Sequence, residues 1–150
     1  MLGKLNEKQI EDLLKKQVTG RLGCHADGIT YVVPINYFYR DPYIFAHSAK
    51  GRKIDMMRKN PKVCFQVDDI QSVFKWQSVI AWGKYEEITD FDEKQQAMQG
   101  LIHRIMPLVD KPAEHPHHAI AEKESEIDTK IEVIVYKITL SKKSGRFENS

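Results

Sequence analysis

Gly20-Arg-Leu-Gly-Cys-His-Ala-Asp-Gly-Ile-Thr-Tyr-Val-Val-Pro-Ile-Asn-Tyr-Phe-Tyr-Arg-Asp-Pro-Tyr-Ile-Phe-Ala46 decides the fold. Residues 22–24, 29–36 and 37–39 are rich in β-branched and aromatic side chains and follow one another closely. Asp27-Gly28 is a hairpin turn signal, and Asp41-Pro42 marks a second turn. Connections this short join antiparallel strands, since parallel ones need a long crossover. Pro34 cannot donate to a ladder, so its strand is expected at an edge or a bulge where the sheet opens.

Working outward, Asn6 and Gln9 form a capping-box pattern, with Leu5 and Ile10 as its hydrophobic staple. A helix within residues 1–20 buries Ile10, Leu13 and Leu14 and stops at Gly20. Residues 51–59 read as a second helix, ended by Asn60-Pro61. Residues 63–67 form a short buried strand, and 72–88 a long one with Gly83 at a bend or close backbone contact. Asp90 and Glu93 open a third helix that buries Met98, Leu101, Ile102 and Ile105. Residues 107–125 hold prolines, histidines and charges and read as a loop or lid. Residues 131–140 form the last strand, and 141–150 a frayed polar tail. About six strands and three helices, mostly joined by hairpins, imply a mainly antiparallel barrel with peripheral helices.

The bulk numbers agree with one domain spanning residues 1–150. Of these residues 41% are hydrophobic and 29% charged, and the net charge of +2 gives no field to attract nucleic acid or a membrane. Cys24 and Cys64 sit among apolar neighbours and read as buried free thiols of a reducing compartment. The first residues show no secretory pattern and no run is long enough to span a bilayer, so a cytoplasmic setting is expected.

Function is written in Phe45-Ala-His-Ser-Ala-Lys-Gly-Arg-Lys-Ile54. An apolar strand ends in His47 and Ser48, Gly51 lets a ligand approach the backbone, and Arg52 and Lys53 open a helix. Free N–H groups and the positive dipole end of a helix favour an anion, and two cations and a hydroxyl converge there. A phosphorylated small molecule is the expected guest.

These segments, with Tyr31-Val-Val-Pro-Ile-Asn-Tyr-Phe38, Asn60-Pro-Lys-Val-Cys-Phe65 and Trp76-Gln-Ser-Val79, resemble the pyridoxamine 5′-phosphate oxidase-like FMN-binding split-barrel family. The branch containing the nitroimidazole-resistance (Nim) proteins is the most similar. The resemblance implies a mainly β (β+α) fold, a six-stranded antiparallel Greek-key split β-barrel with peripheral helices. It implies FMN, with its phosphate at His47, Ser48, Gly51, Arg52 and Lys53 and its ring along Val33, Pro34, Ile35 and Asn36. It also implies a homodimer in which Trp76, Gln77 and Ser78 come from the second subunit.

For activity, the resemblance implies an oxidoreductase, with NAD(P)H as electron donor and a nitroaromatic or similar small acceptor. His47 is the candidate catalytic residue, bonding the ribityl chain or a substrate acid. A pyridoxamine 5′-phosphate oxidase is the alternative enzyme. It is disfavoured because Ser141-Lys-Lys-Ser-Gly-Arg-Phe147 offers no equivalent of that enzyme's basic and aromatic C-terminal substrate residues. A flavin- or haem-binding protein without turnover, or one that takes the analogue F420, also fits the phosphate grip. His115, His117 and His118 lack the spacing and partners of a metal centre, so no metal is expected.

Overall fold

The computed structural model describes residues 1–109 and 132–150. Within them eight strands form one antiparallel sheet that curls around the core. In chain order the elements are β1 (Leu2–Lys4), α1 (Glu7–Lys16), β2 (Thr19–Ala26), β3 (Ile29–Asn36), β4 (Phe38–Arg40) and β5 (Tyr43–Ala49). They continue with α2 (Arg52–Lys59), β6 (Lys62–Ser72), β7 (Lys75–Glu87), α3 (Phe91–Ile105), a 3-10 turn at Met106–Leu108, and β8 (Val133–Asn149). The strands lie in the order β3-β2-β6-β7-β8-β5-β4, with β1 paired to β8. A mainly antiparallel barrel with peripheral helices is therefore the fold, with two more strands than the six expected.

Local chemistry explains most of these elements. Asp27 and Gly28 both have positive φ, 54° and 78°, which is what a tight two-residue hairpin loop needs. Asn6 caps α1 through a complete capping box with Gln9. Pro34 sits on β3, an end strand of the sheet, where its missing N–H breaks no ladder. Gly83 lies at a register shift against β8. A Cβ there would come within 2.8 Å of Ile138 and run into the Thr139 backbone, so only glycine lets the two strands cross this closely.

Ile10, Leu13 and Leu14 of α1 are buried against the barrel. The Tyr37 hydroxyl donates to the Leu14 carbonyl at 2.7 Å, which ties the helix to the sheet. α3 buries Ala97, Leu101 and Ile105, with Met98 and Ile102 half-buried at its margin.

Three expectations are corrected. Residues 141–150 are not a frayed tail. They continue β8 to Asn149, paired with β7 on one side and β1 on the other, because their backbone completes two ladders although many side chains face water. The long strand expected at 72–88 is β7 and starts only at Lys75, because β6 runs on to Ser72, past the expected 67, and Val73 and Phe74 form the turn between them. Cys64 is not a core residue. It is half-buried opposite Gly23, whereas the neighbouring Cys24 faces the interior; both thiols are free. The histidines at 115, 117 and 118, and most of the expected 107–125 lid, lie outside the described residues.

A charged knot joins α1, β4 and β8. The Lys143 ammonium donates to Glu11 at 2.6 Å, Asp41 at 2.7 Å and the Tyr39 hydroxyl at 2.8 Å. The hydrogen bond from Lys143, then that from Tyr39, holds the Asp41 carboxyl below the usual carboxylate range. A depressed carboxyl stabilises the fold above its unfolded pKa of about 3.9 and loses that contribution as pH falls through the folded value. Asp41→Asn is therefore expected to lower the urea midpoint by a constant amount between about pH 5 and 7, the gap closing below about pH 4. Urea titrations across that range check it.

Candidate functional site

The open side of the curled sheet brings together the expected residues of β3, β5 and the start of α2, but not Trp76, Gln77 and Ser78 of β7. β3 is an end strand, and β5 is covered by β4 only at Tyr43, Ile44 and Phe45. His47 and Ser48 pair with β8 through Val135 and Ile134 but have no strand on their other side among the described residues. The chain then turns at Gly51 into α2, which packs across β2. Arg52 lies over the Tyr31 ring of β3, its guanidinium carbon 5.6 Å from the ring centre. The end of β5, the start of α2 and the strand β3 are thus brought together.

The start of α2 is built differently from the other helices. Asn6 caps α1 and Asp90 caps α3, but Gly51 puts no side chain on the first N–H groups of α2. A Cβ at Gly51 would meet nothing nearer than the Ala49 carbonyl at 4.0 Å, so packing within the chain does not demand the glycine. The Ser48 hydroxyl donates to the Ala49 carbonyl at 2.7 Å, leaving its lone pairs to accept.

Lys53 is the decisive residue. It is half-buried, and burial pushes its ammonium below the usual lysine range, opposed only by the field of Cys24. Among the described residues no carboxylate pairs with Lys53 or Arg52. A desolvated cation without a counter-ion is costly unless an anion comes to it. The fully buried Tyr136 hydroxyl, which also feels Cys24, has no hydrogen-bond partner among the described residues.

Other expected residues are placed as follows. Along β3, Val33 and Asn36 are half-buried, Ile35 is buried and Pro34 is exposed. The Thr19 hydroxyl donates to Asn36 Oδ1 at 2.8 Å. Trp76, Gln77 and Ser78 are not near His47 within one chain. His47 pairs with Val135 of β8 while Gln77 pairs with Phe147, about 40 Å further along an extended strand. Trp76 donates its indole N–H to Glu148 at 3.1 Å, and Ser78 accepts from Gln66 at 3.0 Å.

Tyr31 and Cys24 were missed as site residues. Tyr31 shares the face of Val33 and Ile35 by alternation, which was the available signal; the approach of Lys53 to Cys24 had none.

Comparison with known proteins shows the family. Residues 6–147 match the family model described as pyridoxamine 5′-phosphate oxidase. An uncharacterized protein of Rhizobium meliloti (strain 1021) is 41% identical over 68 residues, 45% of each chain, so the match spans less than half of that relative. The crystal structure of an FAD-binding protein from Mesorhizobium loti is similar over 99% of both chains, with a TM-score of 0.77 and 28% identity. A candidate 5-nitroimidazole antibiotic resistance protein from Bacteroides thetaiotaomicron matches over 98% of this chain and 87% of its own, with a TM-score of 0.74. At 20% identity that likeness speaks to the fold alone. With nearly the whole length matched by the model and the same fold in its neighbours, the chain belongs to the pyridoxamine 5′-phosphate oxidase family.

Proposed function

We propose that this chain is a cytoplasmic, homodimeric FMN-binding oxidoreductase that passes two electrons from NAD(P)H to a small nitroaromatic or similar acceptor. Lys53 carries the reading, a half-buried ammonium with no anionic partner among the described residues, on the uncapped start of a helix and beside Arg52. A phosphate dianion suits that setting: Arg52 offers a planar fork of donors, Lys53 a point charge, and the first N–H groups of α2 complete the cradle. The flavin named for the Mesorhizobium loti relative supports a ligand of this class.

FMN, when bound, supplies the two-electron chemistry. The chain's own residues bind, orient and shield. Val33, Pro34, Ile35 and Asn36 lie along the ring on the open edge of β3, with the Asn36 amide and backbone N–H groups as neutral donors. His47 sits between the grip and the open side of β5, where its ring bonds the ribityl chain or a substrate acid. Gln77 and Ser78 reach the ring from a second protomer.

Purified protein is expected to be yellow and to release FMN, not FAD, on denaturation. Anaerobic mixing with NAD(P)H is expected to bleach it within the turnover time, and a nitroimidazole to restore the colour. FAD in the denatured supernatant would overturn the FMN assignment. A yellow protein that no donor bleaches would be a binding protein and would overturn the enzymatic reading.

A further inference from the structure

Under α1, the inward faces of β6, β7 and β8 run out of core and end in a half-open cup of about 300 Å³. That volume is the bottom of the range for ligand pockets and leaves room for a small metabolite. Val67 and its partner Val79, both fully buried, are the last apolar layer of the barrel at this end. Two residues on from Val67, and from Gly145 opposite Val79, alternation brings Asp69 and Phe147 to the same face, and both line the cup.

The cup is preformed. The Phe147 ring rests on β1, where a Cβ on its partner Gly3 would come within 2.6 Å of it. α1 is tied down as a roof at both ends. The Leu5 N–H donates to the Gly145 carbonyl at 3.0 Å, and the Gln17 amide donates to the Asp68 carbonyl at 2.6 Å. Gln71, also on the cup, is the extra residue of a β-bulge, since Ile70 pairs with Trp76 and Ser72 with Lys75. Bulges re-aim a side chain and are common beside binding sites.

The charges of the cup are balanced but only half paired. Lys16 and Asp69 meet at 2.9 Å. Lys75 and Glu148 carry opposite charges on the same lining, yet neither forms an ion pair among the described residues. Glu148 accepts the Trp76 indole N–H through one oxygen and keeps the other open. The Gln71 amide makes no hydrogen bond among the described residues. Gln9 accepts the Asn6 N–H on its oxygen at 2.8 Å, which leaves its amide N–H groups to donate.

One unpaired ammonium, one unpaired carboxylate and spare amide donors over an aromatic floor suit a guest that carries both charges and an apolar body. We infer that the cup binds a free α-amino acid. Its carboxylate docks on Lys75 with amide donors from Gln9 and Gln71, its ammonium meets the open Glu148 oxygen, and its side chain lies on Phe147 and Leu5. Charge-assisted contacts at both ends are the strong kind. A plain carboxylic acid would set its anion beside Glu148 with nothing between them. The cup also touches Trp76 and Gln77, which the flavin reading gives to a neighbouring ring. The contacts that hold the amino acid lie on other residues, so the site goes beyond that reading and does not depend on it.

Saturation-transfer NMR with the standard amino acids, one at a time at millimolar concentration, is expected to pick out those with apolar side chains of middle size. Calorimetry with L-leucine as the probe should then give one site per chain. L-leucinamide, which lacks the carboxylate, and isocaproate, which lacks the ammonium, are each expected to bind roughly ten- to a hundredfold more weakly. Lys75→Gln, at an exposed position, should weaken L-leucine by a similar factor and leave circular dichroism unchanged. No amino acid bound at millimolar concentration, isocaproate bound as tightly as L-leucine, or a K75Q protein that binds L-leucine as before would each overturn the site. A protein that takes up the amino acid but holds no flavin would leave the cup standing and sink only the functional reading. A flavin-loaded protein that binds no amino acid would do the reverse.

Discussion

Replacing both Arg52 and Lys53 by alanine is expected to yield a folded dimer that purifies colourless. Each side chain would give the phosphate a charge-assisted contact, and losing one costs about 1.5–3 kcal/mol. The pair together weakens flavin binding by roughly two to four orders of magnitude. Lys53 should account for the larger share, because its ammonium is already partly stripped of water while Arg52 is exposed.

The stability of the empty protein provides a second readout. A half-buried cation without a counter-ion weakens the fold that holds it, so the flavin-free K53A variant should melt no lower than flavin-free wild type. Loss of colour with retained stability is the signature of a binding residue. A double mutant that purifies fully yellow would remove the site from the start of α2. A colourless one that also melts early would point to a structural role instead.

Phe65→Ala is expected to produce the largest loss of stability, about 3–5 kcal/mol. Phe65 is fully buried on β6 and meets Tyr37 edge-on, ring centres 4.8 Å apart at 72°. Its ring lies so close to Gly20 that a Cβ there would come within 2.6 Å of Phe65 Cε2. Removing the ring opens a void between β2, β6 and the strand leading to Tyr37, whose hydroxyl secures α1. At about 2–4 °C per kcal/mol for a chain of this size, the melting point should fall by roughly 6–20 °C. Thermal melts monitored by near-ultraviolet circular dichroism decide it. A drop of a degree or two would mean that the barrel collapses into the space.

Much of this architecture was legible in the residues because local chemistry dictates it. Asp27-Gly28, Asn6 with Gln9, Pro34 and Gly83 each perform locally what their type predicts. The strand-to-helix turn at residues 47–53 was legible for the same reason, since strand, glycine and cations are contiguous. What was hidden depends on partners distant in the chain. Residues 141–150 look like a solvated tail because their value lies in backbone pairing with β7 and β1, which side-chain character does not announce. Val73 and Phe74 look like strand because β-branched and aromatic residues usually are. That Lys53 has no carboxylate partner among the described residues, and that Arg52 rests on Tyr31, emerges only when α2 folds over β2.

One topological fact bears on how the molecule comes into being. β8 is the last strand along the chain, yet it lies in the middle of the sheet, between β7 and β5. Until it is synthesised, the two blocks on either side have no common neighbour and their inward borders stand bare. Such borders invite association with other chains. A ribosome-bound fragment lacking this final staple therefore cannot close the barrel or hold β5 and the start of α2 against the rest. Capture of the proposed flavin must then await insertion of β8, and mutations that slow that step should appear first as poor recovery of intact protein in growing cells.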